Sequence, residues 1–233
     1  MSLRQFAWRI FGINGLAIAL ALTIYHLGGR DHFGERGFIT FLSTGQLLAI
    51  AWLAQQIFQT RRAAPAARDR QTALLWRVIA GGFIFLAADE FLSLHEVTDL
   101  LIHDLLGWPE TPLSDRLDDV ILGLYGVVGL GVLVVYRHAF KPFRPALPWL
   151  KAGFILLFFM VAVDVITNGR DLLEHFFAAG TADHLYTGLI HLEDAVKILA
   201  EAAFGVGFYA IRQQSARLAI APYSPPRQKQ TQY

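Results

Sequence analysis

Apolar residues run through this chain in stretches too long and too numerous for the core of a soluble domain of 233 residues. A helix needs about 20 mostly apolar residues to cross the hydrocarbon of a bilayer. The breakers Gly28-Gly29, the Ala/Pro/Arg stretch 61–70, Gly107-Trp108-Pro109, the stretch from Pro142 to Pro148, and Gly180 divide the chain into six such lengths. This spacing predicts helices at about 6–28, 37–60, 73–106, 116–138, 150–178 and 184–213. The expected fold class is therefore all-α: a six-span transmembrane helix bundle, one domain over 1–221, with a disordered cytoplasmic tail over 222–233. Composition agrees, since only 17% of residues are charged, against about 25% in soluble domains. The first stretch follows Arg4 and Arg9 as a signal peptide would, but it is long and lacks a clear cleavage site before Tyr25-His26, so it is kept as a span.

Charge sets the orientation. With both termini on one side, that side holds 15 of the 20 Lys and Arg residues. Only Asp69 of the 19 acids lies there, and only His138 of the eight histidines. The positive-inside rule puts both termini in the cytoplasm. Trp76 and Trp149, each near a base, are expected as interfacial anchors of spans 3 and 5.

The acids also repeat. Asp89 matches Asp164, Ser93 matches Asn168, Glu96 matches Asp171 and Asp99 matches Glu174, each 75 residues on. Leu117, Asp118 and Asp119 match Leu192, Glu193 and Asp194, and Arg137 matches Arg212. Spans 3–4 and 5–6 thus read as a parallel internal repeat of hairpins over about 73–138 and 150–213. The spans 1–2 hairpin lacks these acids and is expected only to pack against the others. The repeat is unequal in chemistry: Lys197, Glu201 and His175 stand where the first copy has Leu122, Gly126 and Leu100.

At 100° per residue, Asp89, Ser93, Glu96 and His103 share one stripe of the third helix, flanked by Glu90, His95 and Asp99. Asp164, Asn168, Asp171 and His175 form a stripe on the fifth. Glu193, Lys197 and Glu201 step by four on the sixth, beside Asp194 and His191. From Trp76, Trp149 and Arg212 the helix rise places Asp89, Asp164 and Lys197 about 20 Å above the basic end. The stripes can therefore meet at one level, in an outward-facing cavity among spans 3–6.

Intramembrane carboxylates are expensive and mark functional sites. Carboxylates with histidines suit Zn²⁺, Fe²⁺ or Mn²⁺, and an all-oxygen set suits Ca²⁺ or Mg²⁺. Asp89, His95, Glu96, Asp164, Asp171, His175, His191, Glu193 and Asp194 are the candidate metal ligands, with Asp171 and His175 as an i, i+4 pair. Glu90, Lys197 and Glu201 are the candidate catalytic or relay groups, Lys197 as a counter-charge. The plainer reading is a buried ion-pair network, with Lys197 paired to Glu193 and Glu201 along its own helix. Asp99, Asp104, Glu110, Asp115 and Asp183 read as solvated acids, and His26, His32 and His103 as interfacial. The absence of cysteine excludes disulfides, thiolate ligands and a cysteine nucleophile. No phosphate-binding glycine loop, G-x-S-x-G elbow, His-Glu-x-x-His string or Glu-x-x-His pair is present.

The string Asp89-Glu90-x4-His95-Glu96, followed by Glu193-Asp194-x2-Lys197, resembles uncharacterised bacterial multispan inner-membrane proteins; this resemblance implies no activity. In its Asp and His content the chain also resembles ceramidase-like membrane hydrolases, which would make Asp89, His95 and His191 zinc ligands. It lacks their His-x3-His pair and is one span short. Glu193-x3-Lys197 is similar to the retinal-lysine helix of microbial rhodopsins, without their seven spans or Trp/Tyr-lined pocket.

These readings converge on a membrane protein that binds a divalent metal or protons in its cavity, for transport. Two alternatives stand beside it: a metal-dependent hydrolase of lipid-like esters or amides, and an accessory subunit of a larger membrane complex. Expected partners are the lipid bilayer, a second copy of the chain or other membrane subunits, and no nucleic acid.

Overall fold

In the computed structural model every described regular element is helical. Residues 1–34, 37–64, 67–107, 111, 117–167 and 171–220 are described. The helices are α1 (Leu3–His26), α2 (Phe38–Arg62), α3 (Ala67–Leu92), α4 (Leu94–Leu106), α5 (Leu117–Val135), α6 (Arg137–Phe140), α7 (Leu147–Thr167), α8 (Asp171–Phe176) and α9 (Ala179–Ile220). A 3₁₀ turn over Lys141–Ala146 joins α6 to α7. Four lengths, Leu3–His26, Phe38–Arg62, Thr72–Leu92 and Arg137–Thr167, are long and apolar enough to cross a membrane. Leu16, Trp8, Val78, Ile84, Val128 and Ile155, among others, turn outward more than half exposed, an apolar surface suited to lipid rather than water. Helix α5 is apolar but shorter, and α9 carries Glu193, Asp194, Lys197 and Glu201 along its length.

Helix α9 is the axis of the bundle, with α1, α2 and α7 packed on it. At 42 residues it is about 63 Å long, twice the thickness of the hydrocarbon. Gly153 of α7 lies against Phe204 of α9, and a Cβ there would come within 2.7 Å of the ring; a small residue is what lets these two backbones approach. Helix α3, by contrast, lies along α2, and α5 along α7. The two lengths related by the 75-residue sequence spacing are therefore packed differently: α7 and α9 form a close pair, whereas the partner of α3 is α2.

One end of the bundle holds Met1, Arg61, Thr72, the 3₁₀ turn and the C-terminal half of α9. Its core is aromatic: Trp76 stands edge-on to Phe140, Phe143 and Phe208 at 5.2, 5.7 and 6.3 Å. Trp76 is fully buried, so it is a core ring and not the interfacial anchor its position suggests. Tyr209 and Gln213 donate to the Met1 carbonyl at 3.0 and 2.9 Å, tying α1 to this basic end. A capping box between Ser2 and Gln5 starts α1.

The third predicted helix is not continuous. It ends at Leu92, and α4 begins at Leu94, because Ser93 takes φ 50°, ψ 48°. This left-handed conformation is uncommon for a residue with a side chain. The fifth predicted helix is described as far as Thr167. The Thr167 hydroxyl donates to the Val163 and Asp164 carbonyls at 3.1 Å each. The α1–α2 loop folds over the opposite, acidic end. Gly37 is required there, since a Cβ would collide with the His32 carbonyl.

Candidate functional site

The acidic end encloses a cavity of about 680 Å³. Helix α3 contributes Asp89 and Glu90 to its wall, α4 contributes His95 and Glu96, and α7 contributes Asp164. Helix α9 contributes Glu193, Asp194, Lys197 and Glu201. Seven carboxylates thus face one lysine and one histidine. The remaining wall is largely apolar, with Phe83, Leu122, Leu157, Met160 and Phe204.

Lys197 is the electrostatic centre. Its Nζ is 3.0 Å from Glu90 Oε1 and 2.7 Å from Asp194 Oδ1. The second contact is the i, i+3 neighbour on one helix face, but the first joins α9 to α3. The intrahelical pairing expected with Glu193 and Glu201 is replaced by this bridge between helices. Glu201, one turn deeper, accepts instead from Ser43 Oγ of α2 at 2.6 Å. Asn14 and Gln46 link α1 and α2 beside it, Asn14 Nδ2 donating to Gln46 Oε1 at 3.2 Å and Gln46 Nε2 to Asn14 Oδ1 at 3.0 Å.

The break at Ser93 creates the other contact. In an unbroken helix, residues six apart lie about 9 Å apart along the axis on different faces. Here the chain turns, and His95 Nδ1 donates to Asp89 Oδ2 at 3.0 Å, with Nε2 3.9 Å from Glu96. A carboxylate holding one ring nitrogen fixes the tautomer and leaves Nε2 as the basic face.

Two carboxylate oxygens of the cavity wall have no hydrogen-bond partner among the described residues: Asp89 Oδ1 and Glu201 Oε2. The residues are 3% and 6% exposed. A buried acceptor left open costs about 1–3 kcal/mol or more, so each marks a place where a donor or a proton belongs.

Other expected site residues fall elsewhere. His191 lies outside the cavity wall: its Nε2 donates to Asp31 Oδ2 of the α1–α2 loop at 3.1 Å. Its ring sits 4.6 Å from Tyr25 and 4.6 Å from Phe33. Burial pushes the Asp31 carboxyl up, but the Phe33 backbone N–H and the hydrogen bond and charge of His191 outweigh it. The net shift is downward. His175 is exposed and stacks edge-on with Phe176. His175 is not among the residues that line the cavity. Asn168 and the side chains of Asp118, Asp119 and Asp171 lie outside the described residues, as do Glu110, Asp115 and the tail beyond 220. Asp99 and His103, expected to be solvated or interfacial, are buried and paired: His103 Nδ1 donates to the Asp99 backbone carbonyl at 3.1 Å and lies 3.0 Å from Asp99 Oδ1. Among the described residues, no three His, Asp or Glu side chains converge as ligands for one metal ion.

Sequence reasoning confined the cavity to spans 3–6. The α1–α2 hairpin in fact builds part of its wall, through Phe33, Gly34, Thr40 and Leu47, as well as through the Ser43 bond to Glu201. A serine in an apolar helix and an acid in a loop gave no periodic signal. The one cue that could lead to Ser43 is that a hydroxyl inside an apolar helix needs a partner.

A helical bundle with an apolar exterior and a polar cavity between its longest helices defines the class. Residues 8–211 match the family model described as Domain of unknown function (DUF8692), and the chain belongs to that family. No curated protein and no solved structure matches it significantly.

Proposed function

We propose that the chain is a six-span integral membrane protein of the bacterial inner membrane that binds a cation in its acidic cavity for transport. The spans are α1, α2, α3, α5, α7 and α9, with α4 and α8 capping the outer end. The Lys and Arg distribution favours cytoplasmic termini and an outward-facing cavity. The 75-residue sequence repeat is taken as the scaffold, since duplicated helical units around a site within the membrane are common in transporters.

The observation that carries this reading is the cavity wall itself. Seven carboxylates against Lys197 and His95 give a strongly negative site in a low-dielectric surround, which concentrates cations. Structure alone does not require such an arrangement, because well-packed apolar residues hold helices at least as well as buried ion pairs. In this mechanism Asp89 and Glu201 receive the cation, and Lys197 acts as the resident counter-charge. Glu90 is held by Lys197 until an incoming positive charge competes for it. His95, oriented by Asp89, accepts or returns a proton at Nε2.

The test is flux into liposomes carrying the purified protein, followed with a pH-sensitive dye and with metal-sensitive dyes. Cation-dependent flux lost in Asp89→Asn supports the reading. Flux equal to that of empty liposomes for every cation tried would sink it.

A further inference from the structure

We infer that the cation this cavity takes is an aliphatic amine, bound as its alkylammonium, and not a bare metal ion. The inference rests on the cation-site reading above and names the class of ligand.

Size is the first argument. About 680 Å³ lies within the range of roughly 300–1,000 Å³ typical of small-molecule sites. It exceeds by some twentyfold the ~30 Å³ that liquid water gives one molecule. Donor geometry is the second. The carboxylates are spread over α3, α4, α7 and α9 instead of converging, and among the described residues no three of them form a metal-ligand group. A dispersed set of acceptors suits a ligand whose donors are N–H groups on a chain.

The two open oxygens point the same way. Asp89 Oδ1 and Glu201 Oε2 are buried in the wall without a donor among the described residues. An ionised carboxylate only accepts, so an ammonium, with three N–H donors, completes either one. They flank the Lys197 bridge, Asp89 next to Glu90 on α3 and Glu201 one turn from Lys197 on α9. The same cavity already holds one alkylammonium, since Lys197 brings its own between Glu90 and Asp194 at 3.0 and 2.7 Å. Hydrocarbon has a place as well, against Leu122, Leu157 and Met160, with the rings of Phe83 and Phe204 available to a cation.

Titration calorimetry of the full chain in detergent, at neutral pH, with n-butylamine, putrescine, ZnCl₂ and MnCl₂ tests this. The expected result is saturable binding of an amine, weakened about tenfold or more in Asp89→Asn and in Glu201→Gln. Leu122→Trp and Met160→Phe fill the cavity without touching a charge. They should also abolish amine binding while the melting temperature holds, which keeps the test decisive if a carboxylate variant fails to fold. Zinc or manganese bound at one ion per chain, with no amine bound, overturns the amine assignment and leaves the cation site standing. If neither amine nor metal binds, both fall. Amine binding unchanged in the two cavity-filling variants places the ligand elsewhere and also overturns the assignment.

Discussion

From Ala202 to Ile211 every residue of α9 but Tyr209 is buried, while from Glu193 to Glu201 the same helix borders a cavity with four charged side chains. The lower half is joined to α3 and α7 by rings, with Phe204 against Phe83 and Phe154, and Phe208 against Phe83 and Trp76. The upper half is joined to α3 by Lys197 and to α2 by Glu201. Both halves hold three helices together, so packing alone would have sufficed throughout. The difference shows where the bundle accepts the expense of buried charge, and so where something other than stability is being served.

The largest effects should come from breaking each half in turn. Trp76→Ala removes the ring that touches Phe140, Phe143 and Phe208, and should lower stability by about 3–5 kcal/mol, with binding in the surviving folded protein unchanged. Denaturant titration of both properties checks this. Lys197→Met strands Glu90 and Asp194 and should lower stability by about 3 kcal/mol. The triple change Glu90→Gln, Asp194→Asn, Lys197→Met should recover most of that loss while abolishing cation binding. If instead the triple variant binds normally, the upper half is a structural network and the contrast with the lower half disappears.

The break in the third helix offers a smaller test. Ser93→Val places a branched side chain in a left-handed conformation and should lower stability by about 1–2 kcal/mol, whereas Ser93→Gly should stay within about 0.5 kcal/mol of the parent. Thermal melts of the pair distinguish a required turn from an incidental one.

The smallest effect concerns the loop over the cavity. The Asp31 pKa is lowered in the folded protein, so its contribution is complete above the ordinary aspartate value of 3.8 and is lost as the pH falls through the folded value. The melting difference between the parent and Asp31→Asn should be present at about pH 6 and shrink as the pH falls below 3.8. A difference independent of pH would mean that Asp31 acts through its backbone turn and not its charge.

Much of the acidic end is legible in the sequence. Asp89, Glu90, His95, Glu96, Asp164, Glu193, Asp194, Lys197 and Glu201 lie on or beside the helical stripes, and all of them line one cavity. What periodicity could not supply was anything that depends on where a helix stops or what crosses between helices. Ser93 breaks its helix with neither glycine nor proline to announce it, so the contact of His95 with Asp89 was invisible. The partners Ser43–Glu201 and Asp31–His191 are 158 and 160 residues apart, and each member carries only half of the signal. Trp76 misled because a tryptophan beside an arginine reads alike whether it faces headgroups or three other rings.

The central claim is that a water-accessible, strongly negative cavity opens outward from between the spans. The chain has no cysteine, so Leu122→Cys places a single thiol in that wall. Its labelling rate by membrane-impermeant thiol reagents, applied to the outer face of intact spheroplasts, reads access and potential together. A cationic reagent should react about tenfold or more faster than an anionic one of similar size, with the preference falling in Asp89→Asn/Glu201→Gln. No labelling from outside, or equal rates for the two reagents, would contradict the account.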